Sequence, residues 1–148
     1  MKRHDRILLA CLIVVAGCAW QQIADYDPSV DQGAVQVQAK LDALFEDLQN
    51  SAGTPDGEYE HYASRYDDLR GNVAQLQSQA ALQPHNELTS SSLTLLHDNL
   101  QQLELAHRHG LTAGQVPVLR KLFDTQLRML VQLEVAKKRD AASAEVTP

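Results

Sequence analysis

Apolar residues recur along this chain at alternating spacings of three and four, the period of a helix with one buried face. Asp27-Pro28 pairs an N-cap residue with proline at the first helical position. Behind it Val30, Ala34, Val37, Leu41, Leu44 and Leu48 form a first stripe. Gly33 weakens that helix by about 1 kcal/mol relative to alanine. Asn50-Ser51-Ala52-Gly53 predicts its end, and Thr54-Pro55-Asp56-Gly57 repeats the cap-then-proline pattern for a second helix over 55–82. Tyr59, Tyr62, Tyr66, Leu69, Val73, Leu76 and Ala80 face inward on it. Gln83-Pro84-His85-Asn86 is a turn, because proline cannot continue a helix interior. Thr89 is the expected cap of a third helix, which carries Leu93, Leu96, Leu100, Leu103 and either Ala106 or His107 inward. Gly110 suits the left-handed residue that closes it. Thr112-Ala113-Gly114-Gln115 has capping-box spacing, with Leu111 and Val116 placed as a hydrophobic staple. The fourth helix runs to about Arg139 and buries Val116, Leu119, Phe123, Leu127, Leu130 and either Leu133 or Glu134. Pro117, near its first turn, is expected either to delay the start or to bend it.

No β-branched run of period two interrupts this pattern. Four helices with short connections predict an all-α, up-down-up-down antiparallel four-helix bundle over residues 28–139, followed by a flexible polar tail at 140–148. In that topology the basic fourth helix, with Arg120, Lys121, Arg128, Lys137, Lys138 and Arg139, lies beside the acidic first one, with Lys40, Asp42, Glu46 and Asp47. Exposed pairs of this kind contribute less than ~1 kcal/mol each, so they support orientation more than stability.

The N-terminus breaks the helical period. Lys2, Arg3 and Arg6 precede an uninterrupted apolar run from Ile7 to Ala16, too short to span a ~30 Å hydrocarbon core. Val14-Val15-Ala16-Gly17-Cys18 then resembles the lipobox of bacterial lipoprotein precursors. The resemblance implies removal of a signal peptide over 1–17, cleavage between Gly17 and Cys18, and a diacylglycerol on the Cys18 thiol. Residues 18–27 form a short tether of at most ~30 Å. An aspartate just after the cysteine is the retention signal of inner-membrane lipoproteins. Ala19 stands there, which implies transfer to the outer membrane, facing the periplasm.

Cleavage leaves 10 bases against 18 acids and one cysteine, so no disulfide forms within the mature chain. Acid is concentrated before Arg70, and from Gly71 onward the signs balance. An acidic chain has no electrostatic footprint for nucleic acid. Charge does not draw it to an anionic membrane either, so attachment falls to the lipid at Cys18.

Candidate chemistry is sparse. Glu58/His61 and Glu104/His107 each have the Glu-x-x-His spacing of di-iron bundles, but no matching inward glutamates stand on the first and fourth helices. The histidines are read as solvated, and no metal or cofactor is expected. The Cys-x-x-Cys-His haem motif, a Gly-x-Ser-x-Gly elbow and a Gly-rich phosphate loop are lacking. Ser90-Ser91-Ser92 is read as helix-start capping. No catalytic residue is assigned and the chain is not expected to be an enzyme. Tyr59, Tyr62 and Tyr66 are the candidate binding surface; core packing is the expected role of Tyr62 and Tyr66, and Tyr59, in the opening turns where the core is shallow, is left open between the two.

Asp25-Tyr26-Asp27-Pro28, the Gly-Thr-Pro turn at 53–55, Tyr66-Asp67-Asp68-Leu69, Leu88-Thr89 and Leu133-Glu134-Val135-Ala136-Lys137-Lys138 together resemble a set of small, functionally uncharacterised proteobacterial lipoproteins. That resemblance implies a periplasm-facing lipoprotein and brings no activity with it. The expectation is a lipid-anchored binding or assembly module with an envelope protein as partner. The alternative is a small carrier or sensor, binding its ligand in the bundle core or at the tyrosines.

Overall fold

A computed structural model describes residues 24–145. Cys18, Gly17 and the rest of the leader lie outside the described residues. Four helices follow one another: α1 (Pro28–Ser51), α2 (Ala63–Ala81), α3 (Glu87–Arg108) and α4 (Val116–Glu145), with two 3-10 turns, Pro55–Gly57 and Tyr59–His61, between α1 and α2. There is no strand among the described residues. Each helix packs against its two neighbours in order, and α4 returns to close on α1. The chain is an all-α, up-down-up-down four-helix bundle. No helix among the described residues is long and apolar enough to cross a membrane.

The caps predicted for the first and fourth helices and the close of the third form. Asp27 accepts from the Ser29 amide at 2.8 Å and its hydroxyl at 2.6 Å, and Pro28 opens α1. Gln115 accepts from both the amide and the hydroxyl of Thr112 at 2.9 Å, while Leu111 and Val116 are buried beneath them. Gly110 ends α3 at φ +98°, a conformation that costs an L side chain energy. Pro117 sits in the first turn of α4, where its missing N–H is not needed.

All four stripes point into one core. Leu44, Leu48, Leu69, Leu93, Leu96, Leu100, Leu103, Leu127 and Leu130 are fully buried, each contributing about 1.5–3 kcal/mol of transfer free energy. Phe45, outside the predicted stripe, meets Phe123 across α1 and α4 with ring centroids 5.6 Å apart. Between α1 and α4, Arg120 also bonds Asp42 at 3.0 Å, and Lys40–Asp68 and Arg65–Asp47 link α1 to α2.

Three boundaries differ from the sequence reading. The second helix begins at Ala63, because Pro55-Asp56-Gly57 forms a tight turn and Glu58 is extended (φ −70°, ψ 145°). Gly57 packs so closely on the Ser51 carbonyl that a Cβ there would overlap the backbone. Thr89 is not a cap: α3 starts at Glu87 and Thr89 is buried in the bundle. Ser90, Ser91 and Ser92 lie inside α3, where Ser92 bonds back to the Leu88 carbonyl at 2.8 Å. The fourth helix continues to Glu145, six residues past Arg139 and into the segment read as tail.

Candidate functional site

The tyrosine end of the bundle is built on His107. Continuing the α3 stripe four residues beyond Leu103, it is buried, which corrects its assignment as a solvated histidine. Its Nε2 lies 2.8 Å from the Gly57 carbonyl, an oxygen that can only accept, so Nε2 carries the proton. In that tautomer Nδ1 accepts, and the Tyr66 hydroxyl donates to it at 3.0 Å. The ring is enclosed by Tyr59, Tyr62 and Tyr66, their centroids 5.3–5.9 Å from its own. The turn at Gly57 is thus fixed by sterics on one side and by an imidazole on the other.

Tyr66 is fully buried, and that burial pushes its hydroxyl pKa well up. Tyr62 is also buried; it donates to Ser51 Oγ at 2.8 Å, since that serine's own hydrogen goes to the Asp47 carbonyl. Tyr59 alone of the three is only half-buried, stacked on Tyr66 with centroids 5.8 Å apart. Of the predicted binding surface, two members are therefore core and one is rim.

Tyr59 opens onto a polar network centred on Glu104. Its hydroxyl donates to Glu104 Oε1 at 2.7 Å, and this bond raises the Tyr59 pKa. Arg108 donates to the same oxygen at 2.7 Å and to the Tyr59 hydroxyl at 2.6 Å, its guanidinium 4.0 Å from the ring centroid. Arg70 holds the other carboxylate oxygen and also pairs with Asp67. Burial pushes the Glu104 carboxyl up, but the hydrogen bonds from Arg108, Tyr59 and Arg70 outweigh it and hold the pKa at about 2. Every strong acceptor of Glu104 and both nitrogens of His107 are engaged within the protein. Their Glu-x-x-His spacing serves packing between α2 and α3. Glu58 and His61, the other such pair, are exposed. Among the described residues no group of three or more metal-ligating side chains converges.

Beside Tyr59 an open cleft of about 550 Å³ is lined by Thr54, Pro55, Glu58, Arg108 and Thr112. A second polar cluster closes the opposite end of the bundle. Lys137 Nζ donates to Asn86 Oδ1 at 2.5 Å and to Thr89 Oγ1 and Glu134 Oε1 at 2.7 Å, all four residues buried. Thr89 donates to the same Glu134 oxygen at 2.8 Å, while Glu134 Oε2 is buried without a partner. Glu134, not Leu133, is the inward residue.

No family model matches this chain, and neither a curated protein nor a solved structure is similar to it.

The sequence reading missed a third feature, on the outside. Between α3 and α4 runs a groove of about 520 Å³ lined by Leu95, Val118, Leu122 and Met129, with Lys121 as its one charged residue. These four side chains are 50–70% exposed, and Leu88, two turns before Leu95, extends the same face. The positions between them are Ser92, Asn99, Thr125 and Gln126. The signal was present as Val118, Leu122, Thr125 and Met129, a second stripe at spacings of four, three and four beside the core stripe of α4.

Proposed function

We propose that this chain is a lipid-anchored, non-enzymatic binding or assembly module of the bacterial envelope, held at the outer membrane through Cys18 and facing the periplasm. The observation that carries its docking role is the exposed apolar band on α3 and α4, in which Lys121 is the one charged residue. Monomeric surfaces rarely leave such a band open, and rimmed apolar bands mark sites of protein association. The saturated polar network at Glu104 and His107 supports a structural role for those residues over catalysis, since no group there is left to act as nucleophile or base. Anchoring rests on the lipobox resemblance.

Two variants test the reading together. Cys18→Ser is expected to leave an uncleaved precursor in the inner membrane; mature-sized protein in the outer-membrane fraction would refute the anchor. Met129→Lys is expected to keep the melting temperature and lose the protein's cellular phenotype. An unchanged phenotype would refute the docking role. The alternative, a small-ligand carrier or sensor, is favoured only by the cleft beside Tyr59 and Arg108. A small molecule that co-purifies with the wild-type chain and is lost from Tyr59→Ala would select it.

A further inference from the structure

We infer that the α3/α4 face is occupied by a second copy of this chain, related by a two-fold axis parallel to the helices. The inference rests on the proposed docking role of that face and names its partner. A two-fold contact places the same patch on both partners, so the patch must complement itself. The centre does so through its apolar side chains, and its one charged lining residue, Lys121 on α4, is laid by that axis over α3 of the copy and not over its own counterpart.

The edges decide the orientation. Along the outer edge of α3 stand Glu87 and Asp98; along the outer edge of α4 stand Arg128 and Arg139. All four are exposed, and none has an ion-pair partner among the described residues. Rotation about an axis parallel to the helices lays α3 of one copy over α4 of the other and leaves each residue at its own height. The heights are fixed by the hydrogen bond from Asn99 to Gln126 at 3.0 Å, and the Thr89–Glu134 bond gives an antiparallel register that agrees with it to within two residues. Residue 98 is therefore level with residue 127, and residue 87 with residue 138. At about 1.5 Å of rise per residue, Asp98 comes within one residue's height of Arg128 in the partner copy, and Glu87 within about three of Arg139. The alternative axis, perpendicular to the helices, would lay acid edge on acid edge.

Size and charge agree. A face roughly 30 Å long and two helices wide, ~20 Å, buries on the order of 1,200 Å² in total, the lower end of specific interfaces. The acid-rich half of the chain, up to Arg70, lies on α1 and α2 and so points away from the contact. Docking through α1, which carries Asp31, Asp42, Glu46 and Asp47 against Lys40, would instead bring like charges together.

The test is the mass of the full chain, purified in detergent, by sedimentation equilibrium, with circular dichroism melts as the check on folding. The wild type is expected to form dimers at micromolar concentration, and Leu122→Lys to weaken association by at least about tenfold without lowering the melt. Asp98→Arg and Arg128→Asp are each expected to weaken it roughly fivefold to tenfold, because each substitution acts at two symmetric places. The double variant D98R/R128D restores association to within about twofold of wild type. A dimer that persists in Leu122→Lys, or a double variant no better than its singles, overturns the inference. So does a wild type that stays monomeric to ~100 µM. If Met129→Lys still abolishes the phenotype in that last case, the docking face stands and its occupant is a helix of another protein.

Discussion

His107 shows how one side chain can be structural at every atom. The Gly57 carbonyl takes its Nε2 proton and the Tyr66 hydroxyl satisfies Nδ1. Tyr66→Phe keeps the volume but leaves Nδ1 buried without a donor. The expected loss is about 1–3 kcal/mol of unfolding free energy by urea titration, the usual cost of an unsatisfied buried group. Tyr59→Phe, at the rim, should move the midpoint little. Glu104 makes the corresponding prediction in pH. Its carboxyl titrates near 2 in the folded chain against about 4.5 unfolded. Its contribution to stability is thus complete above about pH 5 and disappears as pH falls toward 2. Glu104→Gln should flatten the acid limb of the stability curve between those values. A curve parallel to wild type there would remove Glu104 from the account.

At the scale of elements, the segment before α2 shows local propensity yielding to packing. Cap-then-proline describes a helix start, but Pro-Asp-Gly equally describes a turn. The turn wins because Gly57 can approach the Ser51 carbonyl and lend its own carbonyl to His107, neither of which a helix at 55–62 would permit. Gly57→Ala is therefore expected to cost about 1–3 kcal/mol in thermal melts, the range of overpacking a tight site. Gly53→Ala offers no such overlap, its cost coming only from a φ of +83°. The register inside the helices is a separate matter. Leu100→Ala and Leu127→Ala should each lose about 2–5 kcal/mol. Gln101→Ala, one residue along and exposed, should stay within about 0.5 kcal/mol.

For the molecule as a whole, a leucine-rich core is closed at both ends by polar clusters joining distant parts of the chain. At one end Glu104 and His107 of α3 hold α2 and the turns before it; at the other Lys137 and Glu134 of α4 hold the α2–α3 connection. Such pairs specify which helices meet, although an apolar replacement can equal them in stability. Lys137→Ala alone should cost about 3–5 kcal/mol, because it strands a buried carboxylate. The double variant Lys137→Met/Glu134→Leu should return to within about 1–2 kcal/mol of wild type by urea unfolding. If the double variant were as unstable as the single, the ion pair itself would be stabilising the fold.

The sequence by itself determined the four helices, their inward stripes and most of their ends, because a 3.6-residue period and cap residues are local properties readable within a dozen positions. Short connections then left neighbours antiparallel, which gave the bundle. Only the tertiary structure decided which polar residues go inside. In the sequence His107 and Glu134 stand open against Ala106 and Leu133, and Thr89 reads as a cap, since their burial depends on partners 45 to 50 residues away. The packing expected of Tyr62 and Tyr66 is seen, and Tyr59, which its place in the opening turns leaves open, is assigned to the rim by its depth in the core. The apolar groove also needed the fold: α3 and α4 each carry half of it, and only their side-by-side packing makes the halves one surface.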